Sequence, residues 1–181
     1  MDRYAAVLIP IDAADPHEVT FIQRATHLRR HAGQIAFPGG AVDPEEAGDH
    51  ERTALREARE EIGLPPSRVT VVGRLPAVRQ RTNAFTVTPF VGIVRDAPPA
   101  VLDANEVAAI YRVPLAAILA PGAVRPGVEV TPERLVHTFH FDYGGLHVWG
   151  LTGRILDLFV ARYRSADSAL RRALDDALAA R

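Results

Sequence analysis

The sequence predicts an α/β fold, a mixed β-sheet flanked by helices, built as a single domain. Three observations lead there. Apolar stretches of strand length interleave with stretches of helical period, without the regular strand-helix-strand rhythm of a doubly wound parallel sheet. With 181 residues, 48% hydrophobic and 24% charged, the chain has the length and composition of one globular domain with a sizeable core. No linker divides it, so residues 1–181 read as one domain ending in a helical tail at about 166–181.

The elements follow in order. Tyr4 to Pro10 is an apolar run of buried-strand character, Asp12 to His17 carries turn residues, and Val19 to Arg24 reads as a second strand. Phe37-Pro38-Gly39-Gly40 fits neither a helix nor a central strand, so a turn is expected there. Asp43 to Asp49 is acidic and loop-like. A helix is expected over 50–62, with Asp49 as N-cap and Gly63 as C-terminal stop before Pro65 and Pro66. Val69 to Leu75, Phe85 to Val94 and Val107 to Val113 read as strands, and Leu115 to Leu119 as a short helix. Thr138 to Phe141 and Leu146 to Trp149 bracket a Tyr143-Gly144-Gly145 hairpin turn. Helices over 150–164 and from Ser168 onward close the chain.

Composition excludes several classes. A formal net charge of -1 supplies no electrostatic case for nucleic acid or a membrane surface. The absence of cysteine rules out disulfides, thiolate metal sites and a cysteine nucleophile. The apolar run near the N-terminus is too short to span a membrane and lacks a cationic start leading to a cleavage site. A cytoplasmic protein is the expectation.

The chemistry concentrates in Arg56-Glu57-Ala58-Arg59-Glu60-Glu61-Ile62-Gly63-Leu64. At the helical period, Glu57, Glu60 and Glu61 fall within an arc of about 100°. Like charges on adjacent turns cost a helix a few tenths of a kcal/mol per pair, so a helix selected for stability alone would intersperse opposite charges there. Clustered carboxylates suit a hard divalent cation, Mg²⁺ or Mn²⁺, which prefers oxygen ligands. Arg56, one turn before Glu60, is placed to orient that carboxylate. The competing reading is a solvated Glu/Arg-rich helix.

With the Gly-Gly segment before it and the glycine stop after it, this region resembles the Nudix box, G-x5-E-x7-R-E-U-x-E-E-x-G-U, where U is aliphatic. Gly40 to Arg56 is two residues longer than that spacing. The pattern's first Glu therefore has no unique counterpart: Glu46 fits counting forward, whereas counting back reaches Gly48, and no role is carried onto Glu45 or Glu46. The resemblance implies a Nudix-like α/β/α sandwich with a mixed sheet. It also implies a metal held by Glu57, Glu60 and Glu61 with help from the Gly39 carbonyl, and it admits a homodimer.

A second signature lies upstream. Arg24-Ala25, Arg29, Gly33 and Phe37-Pro38-Gly39-Gly40 are spaced as in the coenzyme A pyrophosphatase branch, L-L-T-x-R-[SA]-x3-R-x3-G-x3-F-P-G-G, with Thr20-Phe21-Ile22 in place of L-L-T. Trp149-Gly150-Leu151-Thr152-Gly153-Arg154-Ile155 is similar to that branch's last helix. The implied substrate is a small nucleotide of coenzyme A type, cut to 3′-phospho-AMP and 4′-phosphopantetheine. Guanidinium groups grip phosphate oxygens in bidentate fashion, which makes Arg24, Arg29, Arg30 and the Gly40 turn the substrate-binding candidates. Arg79 and Arg81 form a second basic cluster, read either as phosphate contacts or as a solvated loop. Glu60 or Glu106 is expected as the general base, with Arg56 in support. His31 reads as a solvated loop residue, and Phe139 and Trp149 as core. Rival readings are the same chemistry on ADP-ribose, a dinucleotide or a capped RNA end, and a non-catalytic nucleotide-binding module.

Overall fold

The computed structural model describes residues 3–46, 48–79, 85–131 and 135–180, so Arg81 lies outside the described residues. In chain order the elements are β1 (Arg3–Asp12), β2 (Glu18–Arg24), β3 (Ile35–Ala36), β4 (Gly39–Ala41), α1 (His50–Ile62), β5 (Val69–Arg74), β6 (Val78–Arg79), β7 (Phe85–Val94), β8 (Val107–Pro114), α2 (Leu115–Leu119), β9 (Arg125–Val130), β10 (Leu135–Tyr143), β11 (Leu146–Val148), α3 (Gly150–Arg164) and α4 (Ala169–Ala179).

The main sheet is mixed. β1 and β7 run parallel over their whole length, from Arg3 opposite Phe85 to Asp12 opposite Val94, while β5 and β6 pair antiparallel with β7. Both central strands are apolar on both faces because both faces are covered. Ala6, Leu8, Ile22, Phe90 and Val94 pack against Ala54, Ala58 and Ile62 of α1. The alternate residues Ile9, Ile11, Phe21, Val91 and Ile93 join Ile155, Leu156 and Phe159 of α3 and Leu174 of α4 on the opposite face. Helix, sheet and helix thus make an α/β/α sandwich. No helix among the described residues is long and apolar enough to cross a membrane.

The sheet opens where the site lies. β1 meets β2 at Ile11 and Val19, then the two strands diverge. β3 fills the gap against β2, pairing Ile22 with Ala36, and β4 fills it against β1, pairing Val7 with Gly39 and Ala5 with Ala41. This narrows the turn expected over Phe37-Pro38-Gly39-Gly40 to its first two residues. Gly39 and Gly40 belong to a short strand, and the bend falls at Phe37-Pro38, where the Pro38 carbonyl accepts from the Leu8 N–H at 2.9 Å. Glycine is required by proximity: a Cβ on Gly39 would sit 2.3 Å from the Ala6 carbonyl oxygen and 2.6 Å from the Val7 Cα.

A second, three-stranded sheet orders β11-β10-β9. β9 has no counterpart among the strands expected from the sequence; it contains Pro126 and Gly127, residue types that ordinarily weaken a strand. The Thr152 hydroxyl of α3 donates to the Ile35 carbonyl of β3 at 2.9 Å, and a Cβ on Gly153 would meet the Phe139 carbonyl oxygen of β10 at 2.0 Å. The Gly-Leu-Thr-Gly segment therefore locks α3 onto both sheets, just ahead of the bend that carries Gly39. Phe139 and Trp149 are half-buried, with the Arg154 guanidinium 5.3 Å from the Phe139 ring centre. The tail is docked: Leu174 is fully buried, and Arg95 donates to the Ala180 carbonyl at 3.1 Å, satisfying a carbonyl at the end of α4.

Candidate metal and active site

Helix α1 begins and ends as its local chemistry dictates. The Asp49 carboxylate accepts from the Arg52 N–H at 3.0 Å, and Gly63 closes the helix with φ 68°, the left-handed conformation its missing Cβ allows. Between these caps the helix presents its glutamates to β4. Glu61 is 1% exposed and takes a 2.9 Å hydrogen bond from the Gly39 N–H. Glu57 lies against Gly40, where an added Cβ would come within 2.4 Å of its Oε1. Glu60, a turn from Glu57, is exposed. The Gly39 N–H is thus tied to the acidic cluster.

Arg56 is the hub. Its Nη1 lies 3.0 Å from Glu57 and 2.8 Å from Glu60, its Nε 3.1 Å from Glu46, and its Nη2 3.2 Å from the Ala41 carbonyl. Its guanidinium folds over onto the carboxylates, as expected of a residue that orients Glu60. Glu46, to which the ambiguous spacing assigned no role, is 4% exposed and also accepts from the Thr53 hydroxyl at 2.8 Å. The two extra residues are absorbed in the loop, and the 3-10 turn over Pro44–Glu46 brings Glu46 to Arg56. Counting forward from Gly40 was the available signal.

The electrostatics leave negative charge unpaid. Burial pushes the Glu61 carboxyl up to about 8, with Glu57 and Glu106 adding to the rise and the Gly39 N–H and Arg24 opposing it. Burial also raises Glu57, against Arg56 and with Glu60 and Glu106. Glu106 therefore lies within electrostatic reach of both glutamates. It is exposed, on the loop entering β8, anchored by its carbonyl accepting from the Ala25 N–H at 2.8 Å. Arg24 Nη1 stands 3.8 Å from Glu61 Oε1. Both Glu61 Oε1 and Arg24 Nε are buried without a hydrogen-bond partner. An orphaned carboxylate oxygen among all-oxygen donors fits a hard divalent cation.

The other candidates are placed differently. Arg29 and Arg30 are exposed on the segment between β2 and β3, and among the described residues neither is ion-paired with the box glutamates. His31, on the same segment, sits with its Nδ1 3.0 Å from the Gln34 side-chain oxygen. Arg79 is exposed at the end of β6. Beside the box, Arg3, Tyr4, Asp43, Gly48, His50 and Phe85 line an open cleft of about 620 Å³, so the enlarged loop forms part of its wall.

Comparison with known proteins gives this geometry its context. A family model described as NUDIX domain matches residues 1–134. A protein of Salmonella paratyphi B named uncharacterized Nudix hydrolase NudL is 44% identical over 155 residues, covering 85% of this chain and 79% of the relative. Its Salmonella newport counterpart matches equally. Among solved structures, a MutT/nudix family protein from Enterococcus faecalis superposes with TM-score 0.54 at 14% identity over 96% of this chain and 68% of that one. The M. smegmatis Nudix hydrolase RenU gives TM-score 0.53 at 25% identity, over 64% and 73%. A C. elegans Ap4A hydrolase solved as a binary complex gives 0.52 at 21%, over 62% and 80%. Matched over most of its length by the family model and closely related to proteins that bear the family name, the chain belongs to the Nudix hydrolases, metal-dependent enzymes acting on pyrophosphate bonds of nucleoside diphosphate derivatives.

Proposed function

We propose that this enzyme hydrolyses the pyrophosphate linkage of coenzyme A or its derivatives, using Mg²⁺ or Mn²⁺ held by Glu57, Glu60 and Glu61. The observation that carries the reading is Arg24. It is the first arginine of the upstream signature, and the fold sets it 3.8 Å from the innermost box glutamate with its Nε unpartnered. A guanidinium so placed has donors to spare for a phosphate brought to the carboxylates. Arg29 and Arg30, exposed nearby, supply further positive charge for the 3′-phosphate of coenzyme A. The same reading places the enzyme in the cytoplasm and admits a homodimer.

The bound cation supplies Lewis-acid neutralisation of the phosphate charge. The chain's own groups do the rest. Arg56 holds Glu57 and Glu60 in one orientation, so their position does not depend on exposed, freely rotating side chains. The Gly39 N–H fixes Glu61. Arg24 orients the pyrophosphate. Glu106, or alternatively Glu60, accepts a proton from the attacking water, since both are exposed carboxylates at the site's edge. Water adds to one phosphorus in line, the bridging P–O bond breaks, and the departing phosphate keeps the electron pair. The products are 3′-phospho-AMP, 4′-phosphopantetheine and a proton.

The test is product identification by mass after incubation with coenzyme A, ADP-ribose, diadenosine tetraphosphate and a capped RNA end, with Mg²⁺ or Mn²⁺. Selective release of 3′-phospho-AMP supports the reading. Preference for another substrate leaves the metal site standing and discards coenzyme A. Binding without cleavage of any of them favours a nucleotide-binding module.

A further inference from the structure

The second sheet carries a cluster that the box chemistry does not use. Its register places Glu129 opposite Val136, Gly127 opposite Thr138, Arg125 opposite His140 and Asp142 opposite His147. By the two-residue period of a strand, Arg125, Gly127, Glu129, His140, Asp142 and His147 all share one face. On it, one ligand atom from each of Glu129, His140 and His147 lies within 4.8 Å of the others.

Their surroundings look prepared. His147 Nδ1 is 2.6 Å from Asp142 Oδ1, and the other oxygen of that carboxylate, Oδ2, is paired with Arg125. In the neutral ring, an Nδ1–H donated to a carboxylate leaves the lone pair on Nε2, the arrangement found behind metal-ligating imidazoles. That Nε2 points toward Glu129, 3.3 Å from its Oε2. His140 is only 9% exposed; its Nε2 is buried with no hydrogen-bond partner, and its Nδ1 stands 3.8 Å from Glu129, beyond hydrogen-bond range. Gly127 makes room for this ring, since a Cβ there would meet His140 Cδ2 at 2.6 Å. Burying an imidazole whose nitrogen goes unsatisfied is costly unless another partner supplies the missing interaction.

We infer that this face binds a divalent transition metal ion, Zn²⁺ by the nature of its donors, through Glu129, His140 and His147, with Asp142 orienting His147. Two imidazoles and one carboxylate suit zinc and leave a fourth position open. They discriminate against Mg²⁺, which prefers oxygen. The site is thus chemically distinct from the all-oxygen box.

The experiment uses the full chain carrying Glu57→Gln and Glu61→Gln, so that the box does not compete. Co²⁺ is titrated as a spectroscopic probe, followed by Zn²⁺ or excess Mg²⁺. Expected are visible ligand-field bands of a low-coordinate site with nitrogen ligands, displaced by Zn²⁺ and not by Mg²⁺. His147→Ala should abolish them, and Asp142→Asn should weaken binding roughly 10- to 100-fold. Should His147→Ala fail to fold, Glu129→Gln serves as the second variant. Absent bands, or bands unchanged in a folded His147→Ala or Glu129→Gln protein, overturn the inference and leave an ion-paired cluster with His147 bridging two carboxylates.

Discussion

Glu46→Ala is expected to be among the more damaging changes outside the metal ligands themselves. The carboxylate is 4% exposed and accepts three hydrogen bonds, from Arg56 Nε at 3.1 Å, Arg56 Nη2 at 3.2 Å and the Thr53 hydroxyl at 2.8 Å. Hydrogen bonds to charged groups contribute about 1.5–3 kcal/mol each. The net loss is smaller than their sum, because Arg56 keeps Glu57 and Glu60, and the Thr53 hydroxyl can fall back on the Asp49 carbonyl at 3.5 Å. A cost of about 2–4 kcal/mol results, which for a chain of this size lowers Tm by roughly 4–16 °C. The assay is thermal unfolding by circular dichroism of wild type, Glu46→Ala, Arg56→Ala and the double variant. The two single costs should be strongly non-additive, since both remove the same contacts. The pH dependence has a definite sign. Burial works to raise the Glu46 pKa, but Arg56 and Thr53 outweigh it and hold it below its ordinary 4.5. The stabilisation is therefore fully present above 4.5 and is lost as pH falls through the folded value, so the gap between wild type and Glu46→Ala narrows only in acid. A Tm change under about 1 °C at pH 7, or additive single costs, would refute the hub built on Arg56.

Other outcomes follow from the same geometry. Gly39→Ala should push β4 off β1 and break the 2.9 Å bond to Glu61, so turnover falls while the far-UV spectrum, dominated by the remaining sheet and helices, stays close to wild type. Arg24→Met should raise KM for a pyrophosphate substrate more than it lowers kcat, and Arg24→Lys should restore it only in part, because the ammonium cannot grip two oxygens at once. The Asp142 carboxylate, accepting from the His147 ring, and after it Glu129 raise the His147 pKa above 6.5 against the effect of burial. With chelator present, His147→Ala should therefore cost stability at pH 6, and the cost should vanish as pH rises through the folded pKa; a cost that grows with pH would contradict the assignment.

How much was legible depended on whether the determining chemistry was local. Helix α1 was readable to the residue because a capping carboxylate at Asp49 and a glycine at 63 are contained in the segment they delimit. β1 and β7 announced themselves by apolar runs that only a doubly covered strand tolerates. Gly39 and Gly40 were misread because glycine ordinarily signals a turn; here it signals the absence of space, set by β1 and Glu57. The role of Glu46 was hidden by the two-residue insertion, which breaks the count but not the contact. Arg29 matched a spacing and Arg30 adjoins it; the chain between β2 and β3 leaves both in solvent, whereas Arg24, at the end of a strand, is delivered to Glu61. The histidine cluster was unreadable because it depends on the register of three strands, one of which contains a proline and a glycine.

The most direct test of the central claim is the turnover of Glu61→Gln on coenzyme A at saturating Mg²⁺ or Mn²⁺, with folding checked by circular dichroism. Gln keeps the shape and one acceptor for the Gly39 N–H but removes the charge. The account predicts a folded protein with kcat reduced by roughly 100-fold or more, the scale of losing one preorganised electrostatic contact to the reacting phosphate. Turnover within a few-fold of wild type in the folded variant would contradict a metal centre built on this glutamate.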